Sequence, residues 1–132
     1  MFKTIILCLF VLFADGLFRT GRFSAEQLDF ELKKVYPKII TPGTGQQDNN
    51  LVFFEFYEPR SGDFSILIYD TAGFRVREIS SLDKKPFSQS SMNYYLAWDG
   101  TDMNNAGVPP GVYVYCLENG RRVFNGTIIV AR

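Results

Sequence analysis

The residues best suited to chemistry gather in one stretch: Trp98, Asp99, Gly100, Asp102, Asn104 and Asn105. Their oxygens are the kind a hard cation takes, and calcium wants roughly six to eight of them. The spacing matches no EF-hand loop. A carboxylate beside Gly at a turn ordinarily accepts backbone N–H bonds in an Asx-turn. No metal site is expected, and a cation, if bound at all, would sit on Asp99, Asp102 and Asn104. Trp98 shares a face with Tyr94 and Leu96, which makes it a core aromatic, with stacking on a sugar ring as the alternative. The chain has no His, which removes the commonest general base and metal ligand together. Cys116 would lack the base that activates a nucleophilic thiol. The acidic residues fall mostly in turns, with no sign that two converge in a cleft for glycosidase chemistry. No catalytic residue and no cofactor is expected, and the protein reads as a non-enzyme.

The elements that position these residues must come from one domain, given 132 residues. The composition is 46% hydrophobic and 16% aromatic, with 13 Phe. That is enough apolar material for a core without staples, and its aromatic excess favours strands. Lys plus Arg and Asp plus Glu balance at 14 each, and no like-charge run stands out. Binding to nucleic acid or to an anionic membrane is therefore not expected.

The first residues read as an export signal. Lys3 gives a basic start, Thr4 to Ala14 is apolar, and Ala14-Asp15-Gly16 supplies the small residues of a cleavage site. The apolar run is about half the roughly 20 residues a membrane span needs. A retained surface anchor or buried helix is the alternative. Cleavage would remove residues 1–16, Cys8 among them, and leave no membrane span. Cys116 would then have no partner for an intrachain disulfide. It would serve as a small apolar filler, or else as an exposed thiol joining two chains.

Residues 17–31 read as a flexible leader, although Ser24 to Gln27 has capping-box spacing. A strand is favoured from about Leu32 to Ile40, with helical spacing of Leu28, Leu32 and Val35 as the competing pattern. Thr41 to Asn50 is a turn cluster. Leu51 to Tyr57 forms a strand with Val52, Phe54 and Phe56 on one face. Phe64, Ile66 and Ile68 alternate with Ser65, Leu67 and Tyr69. Asp70-Thr71-Ala72-Gly73 fits a type I turn closed by a glycine at positive φ, and Phe74 to Ile79 returns. After a long loop, Ser80 to Asn93, come a strand carrying Tyr94, Leu96 and Trp98 and a turn region from Asp99 to Gly111. Val112 to Glu118, the hairpin signal Asn119-Gly120, and Arg121 to Arg132 complete the chain. Tyr113, Tyr115 and Leu117 should face the core, their hydroxyls bonded at the rim. About seven short strands with turn chemistry between them predict an all-β antiparallel sandwich over residues 32–132.

The order of these motifs resembles a known family. Ile66-Leu67-Ile68-Tyr69-Asp70-Thr71-Ala72-Gly73, then Val76 to Ile79, is similar to the hairpin of bacterial immunoglobulin-like modules of the flagellar hook-capping type (FlgD-type). Trp98-Asp99-Gly100-Thr101-Asp102, Gly107-Val108-Pro109, Gly111-Val112-Tyr113-Val114-Tyr115 and Gly126 to Arg132 continue the likeness, as in gliding-motility and secretion-sorting C-terminal modules. The resemblance covers residues 35 to 132. It implies a non-catalytic immunoglobulin-like module, exported to the periplasm, outer surface or exterior, serving attachment, sorting or assembly. Relatives often carry an acidic turn suited to calcium before the second strand; here only Asp48 in that turn is ionised, so no calcium is expected there.

Partners are therefore expected among envelope or extracellular proteins or further copies of the chain, with a glycan as the alternative suggested by the aromatic surplus. Phe53, Tyr57, Leu67 and Tyr69 lie opposite the core faces of their strands. If adjacent, they would give the domain a second apolar face, of the kind that marks interaction surfaces. Cover by the N-terminal segment is the competing reading of that face.

Overall fold

The computed structural model describes residues 29–43, 49–60, 62–89 and 91–132. The expected signal segment, most of the expected leader, and Asp48 lie outside the described residues. The strands are β1 (Glu31–Tyr36), β2 (Ile39–Ile40), β3 (Val52–Tyr57), β4 (Ser65–Tyr69), β5 (Arg75–Ser80), β6 (Lys85–Pro86), β7 (Asn93–Trp98), β8 (Gly111–Asn119) and β9 (Arg122–Val130). They form a four-stranded sheet, β1-β3-β7-β6, and a five-stranded sheet, β2-β9-β8-β4-β5. If β1 and β2 are one strand that changes sheets, this is the ABED against GFC order of an immunoglobulin sandwich. The expected all-β sandwich is thus the observed fold.

Three details differ from the sequence reading. The strand expected from Leu32 to Ile40 is broken. Pro37 has no N–H to give a ladder, and beyond it the chain joins the opposite sheet, where β2 runs parallel to β9. The sandwich is therefore not wholly antiparallel. The loop between Ser80 and Asn93 holds a 3-10 turn, Ser81–Asp83, and the short β6. In the last hairpin Asn119 pairs with Arg122, so the two loop residues are Gly120 and Arg121. Gly120 has φ 60° and takes the first central position, as type II′ turns prefer.

Period-two alternation explains the core. Val52, Phe54 and Phe56 are each 0% exposed, while Phe53, Glu55 and Tyr57 between them are half-buried. Ile66 and Ile68 fill the core from β4, Leu96 and Trp98 from β7, and Ile128 and Val130 from β9. Edge-to-face ring contacts tie the sheets together: Phe54 to Tyr115 at 5.2 Å and Trp98 to Tyr113 at 5.6 Å. Such pairs add about 0.5–1.5 kcal/mol each beyond burial. Phe30, within the expected leader, is buried against Phe56 and Phe64, so the packed domain begins before residue 32.

Tyr113, Tyr115 and Leu117 face inward as expected. The Tyr113 hydroxyl donates to the Pro109 carbonyl at 2.5 Å, the tyrosine corner typical of immunoglobulin-like sandwiches. Burial, and then the Asp70 carboxylate, raises the Tyr113 phenol above 10.0, with Arg132 opposing. Burial raises Tyr115 as well. A phenol held higher in the fold than in the unfolded chain stabilises fully below pH 10. That contribution is lost as pH climbs through the raised folded values. Stability measured in urea should therefore fall above pH 10. Tyr113→Phe should flatten part of that slope and cost about 0.5–1.5 kcal/mol at neutral pH through the lost hydrogen bond. An unchanged alkaline slope would contradict this.

Gly126 lets β9 pass beneath Tyr115. A Cβ there would lie 2.5 Å from the Tyr115 hydroxyl oxygen and 2.7 Å from its Cζ. Gly126→Ala should therefore cost about 1–3 kcal/mol, as overpacked cores do. Thermal melts of Gly126→Ala and of Gly126→Ala with Tyr115→Leu would check this, the second change relieving the clash.

Candidate functional site

The aspartates that tempted a cation reading are occupied with the backbone. Asp99 Oδ1 accepts from the Thr101 N–H at 3.1 Å and from the Thr101 hydroxyl at 2.5 Å. Asp102 Oδ1 accepts from the Asn104 and Ala106 N–H groups at 2.8 and 3.0 Å. Asp70 does the same for Ala72 and Phe74, closing the turn whose Gly73 has φ 89°. Gly100 has φ 75°, and a Cβ on it would sit 2.8 Å from Pro42. Among the described residues no group of three His, Cys, Asp or Glu gathers as a metal set. Trp98 is 1% exposed and donates Nε1–H to the Thr101 carbonyl at 2.9 Å. It holds the loop in place and offers no face to a sugar.

The same loop shields a sheet edge. Arg77 Nη1 donates to the Asp102 carbonyl at 2.5 Å and to Asn105 Oδ1 at 3.3 Å. The Glu78 N–H reaches the Met103 sulfur at 3.3 Å. The outer edge of β5 is covered in this way against stray pairing.

Phe53, Tyr57, Leu67 and Tyr69 do not form one surface. Their strands belong to different sheets, so Phe53 and Tyr57 face outward on one side of the sandwich, Leu67 and Tyr69 on the other. Tyr69 is 1% exposed and packs with Cys116, Val123 and Leu67, so it offers little to a partner. Cys116 is 4% exposed and disulfide-bonded. The expectation of an unpaired thiol presumed the loss of residues 1–16, and the full chain carries two cysteines. Cys8 lies outside the described residues.

What survives is an aromatic row on the outer face of the four-stranded sheet. Register places Tyr36 opposite Phe53 and Phe53 opposite Ala97. Tyr36 and Phe53 have ring centroids 5.7 Å apart, and Phe53 and Tyr95 5.9 Å. All three are half-buried. The Tyr36 hydroxyl donates to Glu55 Oε1 at 3.1 Å, and Lys34 Nζ lies 4.3 Å from the centre of its ring. Desolvation first, then the bond and charge of Glu55, raise the Tyr36 phenol. Lys33 stands 5.7 Å over Tyr57. The row is an aromatic patch whose neighbouring rings are inclined at 33° and 68°, with charged groups at hand, able to meet an apolar or sugar surface. Phe53 and Tyr57 were legible as outward-facing. Tyr36 and Tyr95 were not, because their place beside Phe53 depends on which strands pair.

Comparison with known proteins supports the fold. No family model matches the sequence, and no curated protein matches it. Among solved structures, one similar chain is PorZ, an essential bacterial surface component of the type-IX secretion system of Porphyromonas gingivalis. It matches with a TM-score of 0.52 at 22% identity, over 86% of this chain and 13% of PorZ. Another is dimeric latent PorU from the same organism, with a TM-score of 0.51 at 18% identity over 76% of this chain and 9% of PorU. This chain therefore spans only a small part of either relative, and the likeness is one of fold.

Proposed function

We propose that this chain is a non-catalytic, exported bacterial immunoglobulin-like module that works in envelope or extracellular assembly, attachment or sorting. The observation that carries this reading is the fold shared with a segment of PorZ, a surface component of a secretion system. The apolar start of the sequence supports export. The turn motifs of the hook-capping and gliding-motility modules support kinship with them: Tyr69-Asp70 through Gly73, Trp98-Asp99-Gly100, and Gly111 through Tyr113 stand at turns and strand starts. Asp70, Asp99 and Asp102 each accept backbone N–H groups of their own turns.

The test is fractionation of the tagged full chain in a bacterium with type-IX secretion, with protease added to intact cells. Recovery with the envelope or exterior is expected. Recovery wholly in the cytoplasm would overturn the reading. A second reading, a glycan-binding module, is favoured by the row Tyr36, Phe53 and Tyr95. A glycan array should then show binding that Tyr95→Ala removes; a blank array would dismiss it.

A further inference from the structure

The edges of the two sheets are not equally protected. β5 is covered by the 102–106 loop. β6 is short and ends in Pro86. β1 carries a bulge between Leu32 and Lys34 and exposed Lys33 and Lys34. Short strands, bulges, Pro and Lys are the usual ways to blunt an edge. β9 is different. It pairs with β8 along all nine residues, yet on its other side β2 covers only Ile129 and Val130.

The direction of the uncovered groups follows from parity. The Ile129 N–H bonds the Lys38 carbonyl and the Ala131 N–H bonds the Ile40 carbonyl, so odd residues of β9 turn away from β8. By the same alternation, the N–H and C=O groups of Val123, Asn125 and Thr127 point outward. Among the described residues nothing pairs with them. The chain that would have continued β2 along this line is β1, which Pro37 diverts to the other sheet.

Beside this edge lies a cleft of about 350 Å³ between β1 and β9. Lys33, Lys34 and Lys38 line it, with Tyr115, Phe124 and Asn125; the Lys33 and Lys34 ammoniums rest over the Tyr57 and Tyr36 rings at its rim and would swing from them to meet a partner. Asn125 Nδ2 is buried and has no hydrogen-bond partner, a state that normally calls for an acceptor. Cationic side chains and a spare donor favour carboxylates. The repeating outward N–H and C=O groups favour an extended main chain over a free anion.

We propose that the 123–127 edge of β9 accepts an extended, carboxylate-bearing segment of a partner protein as an added strand. Its main chain pairs with Val123, Asn125 and Thr127, and its acidic side chains face Lys33, Lys34 and Lys38. This is strand addition, in which backbone bonds give affinity and side chains give selectivity. It deepens the proposed function and rests on that reading only in taking the partner to be a protein.

The test uses the full chain and a labelled peptide of alternating Thr and Glu, about ten residues long. A Thr–Lys peptide and inorganic phosphate are the controls. Fluorescence anisotropy should show saturable binding of the Thr–Glu peptide, weakened by salt, and none of the Thr–Lys peptide. Hydrogen exchange of the Val123, Asn125 and Thr127 amides should slow by about tenfold or more at saturation. Reversing Lys33, Lys34 and Lys38 to Glu should weaken binding by about tenfold or more and leave the fold intact. Asn125→Pro, which removes an outward N–H but no β8 bond, should weaken it too. Absence of binding, binding without amide protection, equal binding of both peptides, or full competition by phosphate would each overturn the proposal. None of these results would bear on envelope location, which fractionation reads separately.

Discussion

Trp98→Ala should lower stability by about 3–5 kcal/mol, the range for emptying a buried large aromatic site. Trp98 is 1% exposed and packs on Tyr113, so its removal opens a cavity beneath the tyrosine corner. It also frees the Thr101 carbonyl, which accepts its Nε1–H. That carbonyl begins the loop that covers β5, so the loss reaches a sheet edge as well as the core. Trp98→Phe keeps most of the packing but not the donor, and should cost about 1–3 kcal/mol. Urea titrations of both variants would check this. A midpoint change for Trp98→Ala worth under about 1 kcal/mol would mean the site collapses around the gap.

Lys84→Met should be comparably damaging. Glu58 is 4% exposed, and its carboxylate pairs with the Lys84 ammonium. Lys84 also stands 4.7 Å over the Tyr94 ring. Removing one partner of a buried pair typically costs about 3–5 kcal/mol, because the other charge is left without compensation. Among the described residues Glu58 Oε2 already has no hydrogen-bond partner, so little else can absorb the loss. The double variant Glu58→Leu with Lys84→Met should recover most of the stability, since apolar replacement of a buried pair is often neutral or better. The Arg75–Glu78 pair gives the contrast. Its side chains are 47% and 41% exposed at 3.7 Å, and Glu78→Ala should change stability by no more than about 1 kcal/mol. Thermal melts of these variants decide the matter. A Lys84→Met loss as small as that of Glu78→Ala would show that the buried pair contributes nothing special.

The strands were legible wherever one face is buried, because a period of two is written directly in the sequence. Val52-Phe53-Phe54-Glu55-Phe56 and Ile66-Leu67-Ile68 show it, and the structure buries the expected members of each. The Asp70 and Asp99 turns were legible for a local reason: their bonds close within four residues. What local pattern could not reveal depends on partners distant in sequence. The crossing of the chain at Pro37 follows from where β9 lies. β6 pairs through Lys85 and Pro86 alone, too short for periodicity to show. Glu58 and Lys84 are separated by 26 positions. The aromatic row and the β9 edge left bare among the described residues likewise exist only once strand order is fixed, and the separation of Phe53 from Leu67 follows from the same ordering.

The most direct test of a module that works by contact in the envelope is cross-linking in living cells. The full chain would carry a photo-reactive residue in place of Tyr95, on the aromatic face, and in a second strain in place of Thr127, on the β9 edge. Irradiation of a bacterium with type-IX secretion should trap a discrete, larger species in the envelope fraction from at least one of these positions. Only uncross-linked monomer in both strains, recovered from the cytoplasm, would contradict the account.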